Sequence, residues 1–141
     1  AYVITTRLVG SEMCIRDRVH DYKAFLLNGE AGHAGLFSTL SDLTVFIEMM
    51  LNFGEYQGKR VLDENVFDWL GEHDAEGRTL GWERHNGKHQ YLHTGYTGTA
   101  VAFDLDRQVG LVLLTNRVYP TSDNHIWNRD RQRVFELFFN D

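Results

Sequence analysis

The sequence has little cysteine and little proline, with one of each among its 141 residues. The single cysteine, Cys14, can form neither an internal disulfide nor a thiolate-based zinc site, so cysteine usage leaves the cellular compartment open. Every long apolar run is interrupted by a charge or a glycine, which argues against a membrane-spanning segment in this chain. Dense clusters of lysine and arginine are also missing, and the net charge is −6, so nucleic acid is not an expected partner.

An activated nucleophile is missing too. No serine, cysteine or threonine has neighbours in the sequence that would activate a catalytic hydroxyl or thiol. No cofactor motif stands out, and we expect neither a cofactor nor a metal. The chain is therefore expected to supply only part of a reaction site.

The remaining composition is that of one globular domain. Hydrophobic residues make up 43% of the chain, and its length suffices to bury a core. Residues 1–18 differ from the rest, because they hold the lone cysteine and three arginines, and residues 8–18 resemble translated sequencing-adapter read-through. We predict that residues 1–18 are an artefact and that residues 19–141 are part of a domain. The alternative for residues 1–18 is a genuine short strand and a charged loop.

Helical spacing of apolar residues occurs in three places, after Ser38, after Asp63 and over residues 125–139. The last helix is predicted to carry four apolar residues near one side, namely Ile126, Val134, Leu137 and Phe138. Residues 73–79 are polar and are expected to be exposed.

After the second predicted helix, the spacing of apolar residues changes from helical to an alternation with a period of two residues. Residues 80–84 and 89–93 flank Asn86-Gly87, which is a strong hairpin signal. Residues 99–105 and 109–115 form a second pair of predicted strands. Strands in sequence with helices before and after them predict an α+β fold, an antiparallel β-sheet meander flanked by helices.

Residues 93–99, with the sequence His-Thr-Gly-Tyr-Thr-Gly-Thr, lead directly into the alternating apolar residues of a strand. Glycine lets a ligand approach the backbone closely, and the hydroxyl and amide groups are then available to bind it. The alternative is a turn at the start of a strand with no ligand. We favour a binding site on a strand that lines a cleft.

Three stretches together resemble the C-terminal part of the serine β-lactamase and penicillin-binding-protein superfamily, in its class C β-lactamase, D-alanyl-D-alanine carboxypeptidase and esterase branch. His93-Thr94-Gly95 is similar to the third motif of that family, Lys/His-Thr/Ser-Gly. Residues 31–43 resemble its Ala-Gly…Ser-Thr…Asp-Leu turn and helix, and residues 112–117 resemble the next sheet strand. The resemblance extends from about Val19 to the C-terminus and implies part of a β-lactamase/transpeptidase-like fold.

The resemblance implies an acyl-enzyme mechanism on amide or ester bonds. In the family a Ser-x-x-Lys serine attacks a carbonyl, a Tyr-x-Asn tyrosine helps to move the proton, and the third motif binds the substrate carboxylate. By position, Tyr96 would contribute a backbone N–H to the oxyanion hole and His93 would act beside it. His93 and Thr94 would also bind the carboxylate of a small-molecule or peptide substrate, and Gly95 would keep the strand edge clear.

The chain departs from this pattern at the nucleophile. None of its serines is followed three residues later by lysine, and no tyrosine is followed two residues later by asparagine. These serines are Ser11, Ser38, Ser41 and Ser122. Because losing the nucleophile of a cooperating set removes most of the rate, we expect the chain alone to be inactive. Histidine in place of lysine at position 93 slightly favours a peptidase or an esterase.

The remaining histidines allow other interpretations. His85, His89 and His93 recur every four residues, which would align them for zinc on a helix, but the hairpin signal between the first two argues against that arrangement. His33 is a turn histidine or one that faces the cleft. His20, with the aspartate that follows it, is a catalytic pair or a surface turn, and we favour the turn.

Three functions follow from the sequence. The leading hypothesis is a fragment of a β-lactamase-related serine hydrolase. The alternative is a non-catalytic relative that binds a ligand or peptidoglycan in the same cleft. A structural domain without a ligand is the third, and it predicts that substitutions at Thr94 or Tyr96 change stability alone.

Overall fold

A computed structural model describes residues 2–5, 19–29, 31–86 and 89–140. The chain divides into two compact units, residues 6–39 and residues 1–5 with 40–141. For residues 2–5 the structure describes the backbone alone.

A six-stranded sheet forms the centre of the larger unit, and its spatial order is β1-β8-β7-β6-β5-β4. Five of these strands form an antiparallel meander, of which the sequence predicts β5 to β8, and β1 pairs with β8 in parallel. The strands of this sheet are β1 (Tyr2–Thr5), β4 (Arg78–Thr79), β5 (Trp82–Arg84), β6 (Gln90–Thr94), β7 (Ala100–Asp104) and β8 (Val109–Leu114). The α+β class is confirmed. The prediction that residues 1–18 are an artefact stays a prediction.

Three helices and a small hairpin complete the larger unit, and they are α2 (Leu40–Leu51), α3 (Asn65–Glu72), α4 (Ile126–Asn140) and the pair β2 (Glu55–Tyr56) and β3 (Lys59–Arg60). Both faces of the sheet are covered, because strand side chains alternate between two clusters. Tyr91 and Phe103 belong to a buried cluster with the α2 residues Ile47 and Met50. The opposite cluster contains Leu92, Ala102, Leu111, Phe135 and Phe139.

Gly110 in β8 lies directly beneath α2. A Cβ atom added at Gly110 would overlap the Cγ2 atom of Ile47. The close approach of this helix to the sheet therefore requires glycine at position 110.

The structure changes the predicted face of the last helix. Phe135 and Phe139 are its buried residues, whereas Ile126 and Leu137 are 63% and 58% exposed. The two phenylalanines are four residues apart and lie on one side of the helix, where they contact the apolar face of β7 and β8. Of the four residues predicted near one side, Val134 and Phe138 pack partly against this cluster, whereas Ile126 and Leu137 do not lie on the buried side.

Two helix starts differ in detail from the sequence-based expectation. Helix α2 begins at Leu40, so Thr39 and not Ser38 precedes its first residue. Helix α3 begins at Asn65, so Glu64 and not Asp63 occupies its N-cap position, although the Asn65 amide donates to the Asp63 carboxylate at 3.0 Å.

The strand β4 was not predicted, because residues 73–79 look polar throughout. Thr79 is only 3% exposed, and its hydroxyl donates to the Trp69 carbonyl at 3.4 Å. Leu80 and Gly81, with φ of 41° and 89°, form the two-residue turn that joins β4 to β5. The predicted turn at Asn86-Gly87 has Asn86 at φ 52°, and Gly87 lies outside the described residues.

The smaller unit contains one short helix, α1 (Tyr22–Leu26), and the glycine-rich turn after it. Asp21 caps the helix by accepting the Ala24 amide at 2.8 Å. The turn closes through an isolated bridge between Ala31 and Ala34.

Candidate functional site

The strand β6 extends beyond its neighbour β5. Their pairing ends at Glu83 and Leu92, whereas β6 continues through His93 and Thr94. On the other side, His93 pairs with Val101 and Thr94 pairs with Ala100. Among the described strands, the last two residues of β6 therefore pair with β7 alone.

The direction of the backbone groups follows from this register. Amides of Leu105 and Gly95 bond to the carbonyls of His89 and Thr99 at 3.0 and 2.8 Å, so odd-numbered residues of β6 bond to β7. Successive residues of an antiparallel strand direct their N–H and C=O groups to opposite neighbours. The backbone of Thr94 therefore points to the β5 side, beyond the last paired residue of β5.

A tight turn follows Thr94. The Gly98 amide donates to the Gly95 carbonyl at 3.1 Å, which places Tyr96 and Thr97 at the two central positions of a β-turn. A Cβ atom at Gly95 would overlap the Thr99 hydroxyl, so the close turn requires glycine there. Gly98 has φ +111°, a conformation that other residues rarely adopt.

The four predicted site residues are adjacent and accessible. His93 is exposed and its ring lies edge-on to Trp82, with centroids 6.3 Å apart. Thr94 and Gly95 are half-buried, and Tyr96 is 63% exposed. This surface placement is one that a binding edge requires. The roles of the four residues stay predictions.

A nearly buried arginine, Arg117, anchors the turn through its backbone. Its Nε donates to the Tyr96 carbonyl at 2.6 Å, and its guanidinium carbon lies 4.4 Å from the centroid of the Tyr96 ring. Its Nη1 donates to the Ser122 carbonyl at 3.1 Å. Arg117 is only 7% exposed, so these contacts replace its hydration.

A second arginine reaches the same turn from α4. Arg131 Nη1 donates to the carbonyls of Gly95 at 2.9 Å and Thr99 at 3.1 Å. Burial lowers the pKa of Arg131, and the charge of Arg117 lowers it further, while Glu83 acts in the opposite direction. Within the described parts of the chain, neither arginine has a carboxylate in ion-pair contact. The two positive charges therefore lie behind the turn without direct neutralisation.

Two more side chains fix the end of the turn. The hydroxyl of Thr115 and the indole Nε1 of Trp127 both donate to the Gly98 carbonyl, at 2.6 and 3.1 Å. Sequence reasoning missed this set of anchors, because hydrogen bonds to carbonyls distant in sequence leave no local pattern. The turn is thus held at three of its carbonyls by side chains from α4 and from the loop between β8 and α4.

Comparison with known proteins shows the family to which the chain belongs. The Beta-lactamase family model matches residues 7–135. The chain belongs to the Beta-lactamase family. The predicted resemblance to the serine β-lactamase and penicillin-binding-protein superfamily is confirmed.

Curated relatives agree with this assignment. The chain is 36% identical over 118 residues to the N-acetylmuramyl-L-alanine amidase of Bacillus subtilis, covering 73% of this chain and 27% of that protein. It is 36% identical over 123 residues to a putative D-alanyl-D-alanine carboxypeptidase of Salmonella enteritidis, covering 76% of this chain and 28% of that protein. The chain thus spans just over a quarter of the length of these relatives. No solved structure matches it significantly.

The three histidines that were considered as zinc ligands contact different residues in the structure. His85 stacks on Phe139 with ring centroids 4.5 Å apart, and His89 Nδ1 lies 3.0 Å from the Asp106 carboxylate. No group of three ligand-type side chains that could hold a metal occurs among the residues with assigned positions. The zinc arrangement is therefore not formed by these residues.

His33 pairs with an aspartate of its own unit. Its Nε2 atom lies 2.9 Å from the Asp21 carboxylate, which also caps α1. The Ala24 amide, and then the hydrogen bond with His33, lower the pKa of Asp21. His33 therefore links the glycine-rich turn to the start of α1, and its suggested place in a cleft stays a prediction.

Among the helices of the described residues, none combines the length and the apolar character that crossing a bilayer needs.

Proposed function

We propose that this chain is part of a serine hydrolase that cleaves amide or ester bonds through an acyl-enzyme. In this proposal the edge at residues 93–96 faces the reacting carbonyl. The Tyr96 N–H is one oxyanion donor, since a backbone amide aimed at developing negative charge stabilises the tetrahedral intermediate. His93 and Thr94 bind the substrate carboxylate, and His93 also lies beside the reacting group.

One observation supports this assignment above the others. Strand β6 runs two residues past its last pairing with β5 and ends in a rigid turn. A strand segment that the described strands leave unpaired on one side can pair with an extended substrate, and a rigid turn keeps its donors in place. His93 and Tyr96 are both exposed at this edge, as contact with a substrate requires.

The nucleophile is proposed to lie in a longer protein of which this chain is a fragment. The chain contains no Ser-x-x-Lys and no Tyr-x-Asn, and it covers just over a quarter of its curated relatives. The 141-residue chain is therefore expected to show no turnover by itself.

The substrate class is proposed to be a peptide or small molecule that ends in a carboxylate. The names of the two relatives refer to a D-alanyl-D-alanine bond and to an N-acetylmuramyl-L-alanine bond. Arg117 and Arg131 give the turn a positive environment that favours an anionic group nearby. Short D-alanyl peptides and esters with a free carboxylate are the compounds to test first.

The test is to recover the complete reading frame and to incubate the protein with a chromogenic ester, a β-lactam and a D-alanyl-D-alanine peptide. We expect a Ser-x-x-Lys before this segment and a mass increase on its serine after incubation. The matched control replaces that serine with alanine. A complete protein without the motif, or one that no probe acylates, would end the hydrolase proposal.

The absence of both motifs also favours a second candidate, a non-catalytic relative that binds a peptidoglycan fragment at the same edge. The two candidates differ in one result. Binding of a muramyl peptide by calorimetry, without acylation or turnover, would support the binding protein, whereas covalent labelling of a serine would exclude it.

A further inference from the structure

The amide of Tyr96 belongs to the same peptide unit as the carbonyl of Gly95. That carbonyl accepts two hydrogen bonds, from Arg131 Nη1 at 2.9 Å and from the Gly98 amide at 3.1 Å. In a trans peptide the C=O and N–H groups point in opposite directions. The Tyr96 N–H must therefore point away from Arg131.

A charged donor that bonds to the carbonyl of a peptide changes the strength of the N–H group of the same peptide as a hydrogen-bond donor. Hydrogen bonds to ionised groups are shorter and stronger than neutral ones, and bonds in a chain polarise one another. A guanidinium on the Gly95 carbonyl thus makes the N–H of the same peptide a stronger donor. This polarisation is larger where bulk water is excluded. Burial lowers the pKa of Arg131, which agrees with a partly desolvated guanidinium.

We propose that Arg131 is a positioning residue that aims and strengthens the Tyr96 N–H, so that this amide acts as an oxyanion donor. The inference rests on the proposed hydrolase function. In this proposal Arg131 acts through its bonds to the backbone of the turn and not through a bond to the substrate. Its effect on the reacting carbonyl passes through the peptide between Gly95 and Tyr96, while its charge also adds to the positive environment of the turn.

Arg117 complements this arrangement at the next peptide. Type I and type II turns differ by a rotation of the central peptide, which here joins Tyr96 to Thr97. The carbonyl of that peptide accepts from Arg117 Nε at 2.6 Å, which favours a single orientation. The two arginines therefore fix two successive peptides of the turn.

The first experiment measures catalysis by the protein expressed from its complete reading frame. We expect Arg131→Gln to lower kcat for a chromogenic ester about tenfold or more, with KM changed less than about threefold, because the lost interaction is made in the transition state. Arg131→Lys keeps a charged donor and should recover part of kcat. The control is Arg129→Gln, on the same helix, where the arginine contacts only the neighbouring Asp130 among the described side chains.

The second experiment measures the chemical shift of the Tyr96 amide proton and requires no catalytic activity. In protein labelled with ¹⁵N-tyrosine, Tyr96→Phe identifies the Tyr96 resonance by its loss. We expect Arg131→Gln to move the Tyr96 amide proton upfield more than any other tyrosine amide, and Arg129→Gln to leave it in place.

The outcomes separate the two proposals. An unchanged Tyr96 amide in Arg131→Gln, or an unchanged kcat in an active protein, would overturn the role of Arg131. An inactive complete protein whose Tyr96 amide still shifts would overturn the hydrolase proposal while leaving the coupling of Arg131 to this amide in place. If Arg131→Gln does not fold, Arg131→Lys supplies both measurements.

Discussion

Arg117 contacts Tyr96 in two ways, through a hydrogen bond from Nε to the carbonyl at 2.6 Å and through its guanidinium, 4.4 Å from the ring centroid. Hydrogen bonds from charged groups contribute about 1.5–3 kcal/mol each, and a desolvated cation–π contact about 2 kcal/mol. Arg117 therefore makes two of the side-chain interactions that hold this turn, and both involve Tyr96.

Replacing Arg117 by methionine should destabilise the protein strongly. Methionine fills part of the volume but donates no hydrogen bond, so the carbonyls of Tyr96 and Ser122 lose a donor. We expect the free energy of unfolding to fall by about 2–4 kcal/mol. Urea denaturation measures this change, and Arg129→Met, at an exposed position, serves as the control. Equal stability of the two variants would contradict the role given to Arg117.

Gly98→Ala should cost more than an alanine at another glycine with positive φ. Gly98 has φ +111°, and a Cβ atom there would lie 2.7 Å from the Thr115 hydroxyl and 3.1 Å from the Trp127 Nε1. Gly58, with φ +74°, has nothing within 4 Å of that position. We expect about 1 kcal/mol for Gly58→Ala from the backbone alone, and at least about 2 kcal/mol for Gly98→Ala. Similar losses in thermal stability for both variants would show that the turn has room for a side chain.

The face of α4 can be tested by two truncations. Phe135 is 1% exposed, and Leu137 is 58% exposed. Phe135→Ala should lower the free energy of unfolding by about 3–5 kcal/mol, and Leu137→Ala by less than about 0.5 kcal/mol. Chemical denaturation followed by tryptophan fluorescence measures both. A larger loss for Leu137→Ala would restore the helix face that the sequence predicted.

Acid should weaken the contacts of Asp21. Its pKa is lowered in the folded protein, so the carboxylate stabilises the fold above the unfolded value of about 3.9, and this contribution disappears as pH falls through the lower folded value. Asp21→Asn should therefore be less stable than the parent at neutral pH, with a difference that shrinks below about pH 4. Amide hydrogen exchange at Ala24 over a pH series measures it. A constant difference between the two proteins down to pH 2 would contradict this explanation.

The sequence predicted the elements whose residues pack by local periodicity. Strands β6 to β8 are predicted because their apolar residues recur at every second position, and helix α2 because its apolar residues recur every three or four positions. In α4 the apolar residues between 134 and 139 surround much of the helix. Periodicity there cannot select a face, and contact with the sheet selects Phe135 and Phe139.

The candidate site was predictable only in part. His93, Thr94, Gly95 and Tyr96 form a continuous motif, and the structure keeps them together at one edge. Arg117 and Arg131 were not predicted as parts of it, because arginine is mostly an exposed residue and both reach the turn across long sequence distances, 21 residues in one case and 36 in the other. Contacts of that kind depend on the completed fold.

The pair formed by Gly110 and Ile47 has a consequence for how this fold can vary. A strand position and a helix position divide one fixed space between them, so an added methyl group at residue 110 has to be matched by a smaller side chain at residue 47. Variation at these two sites is therefore expected to be concerted, with neither site free to drift while the other stays as it is.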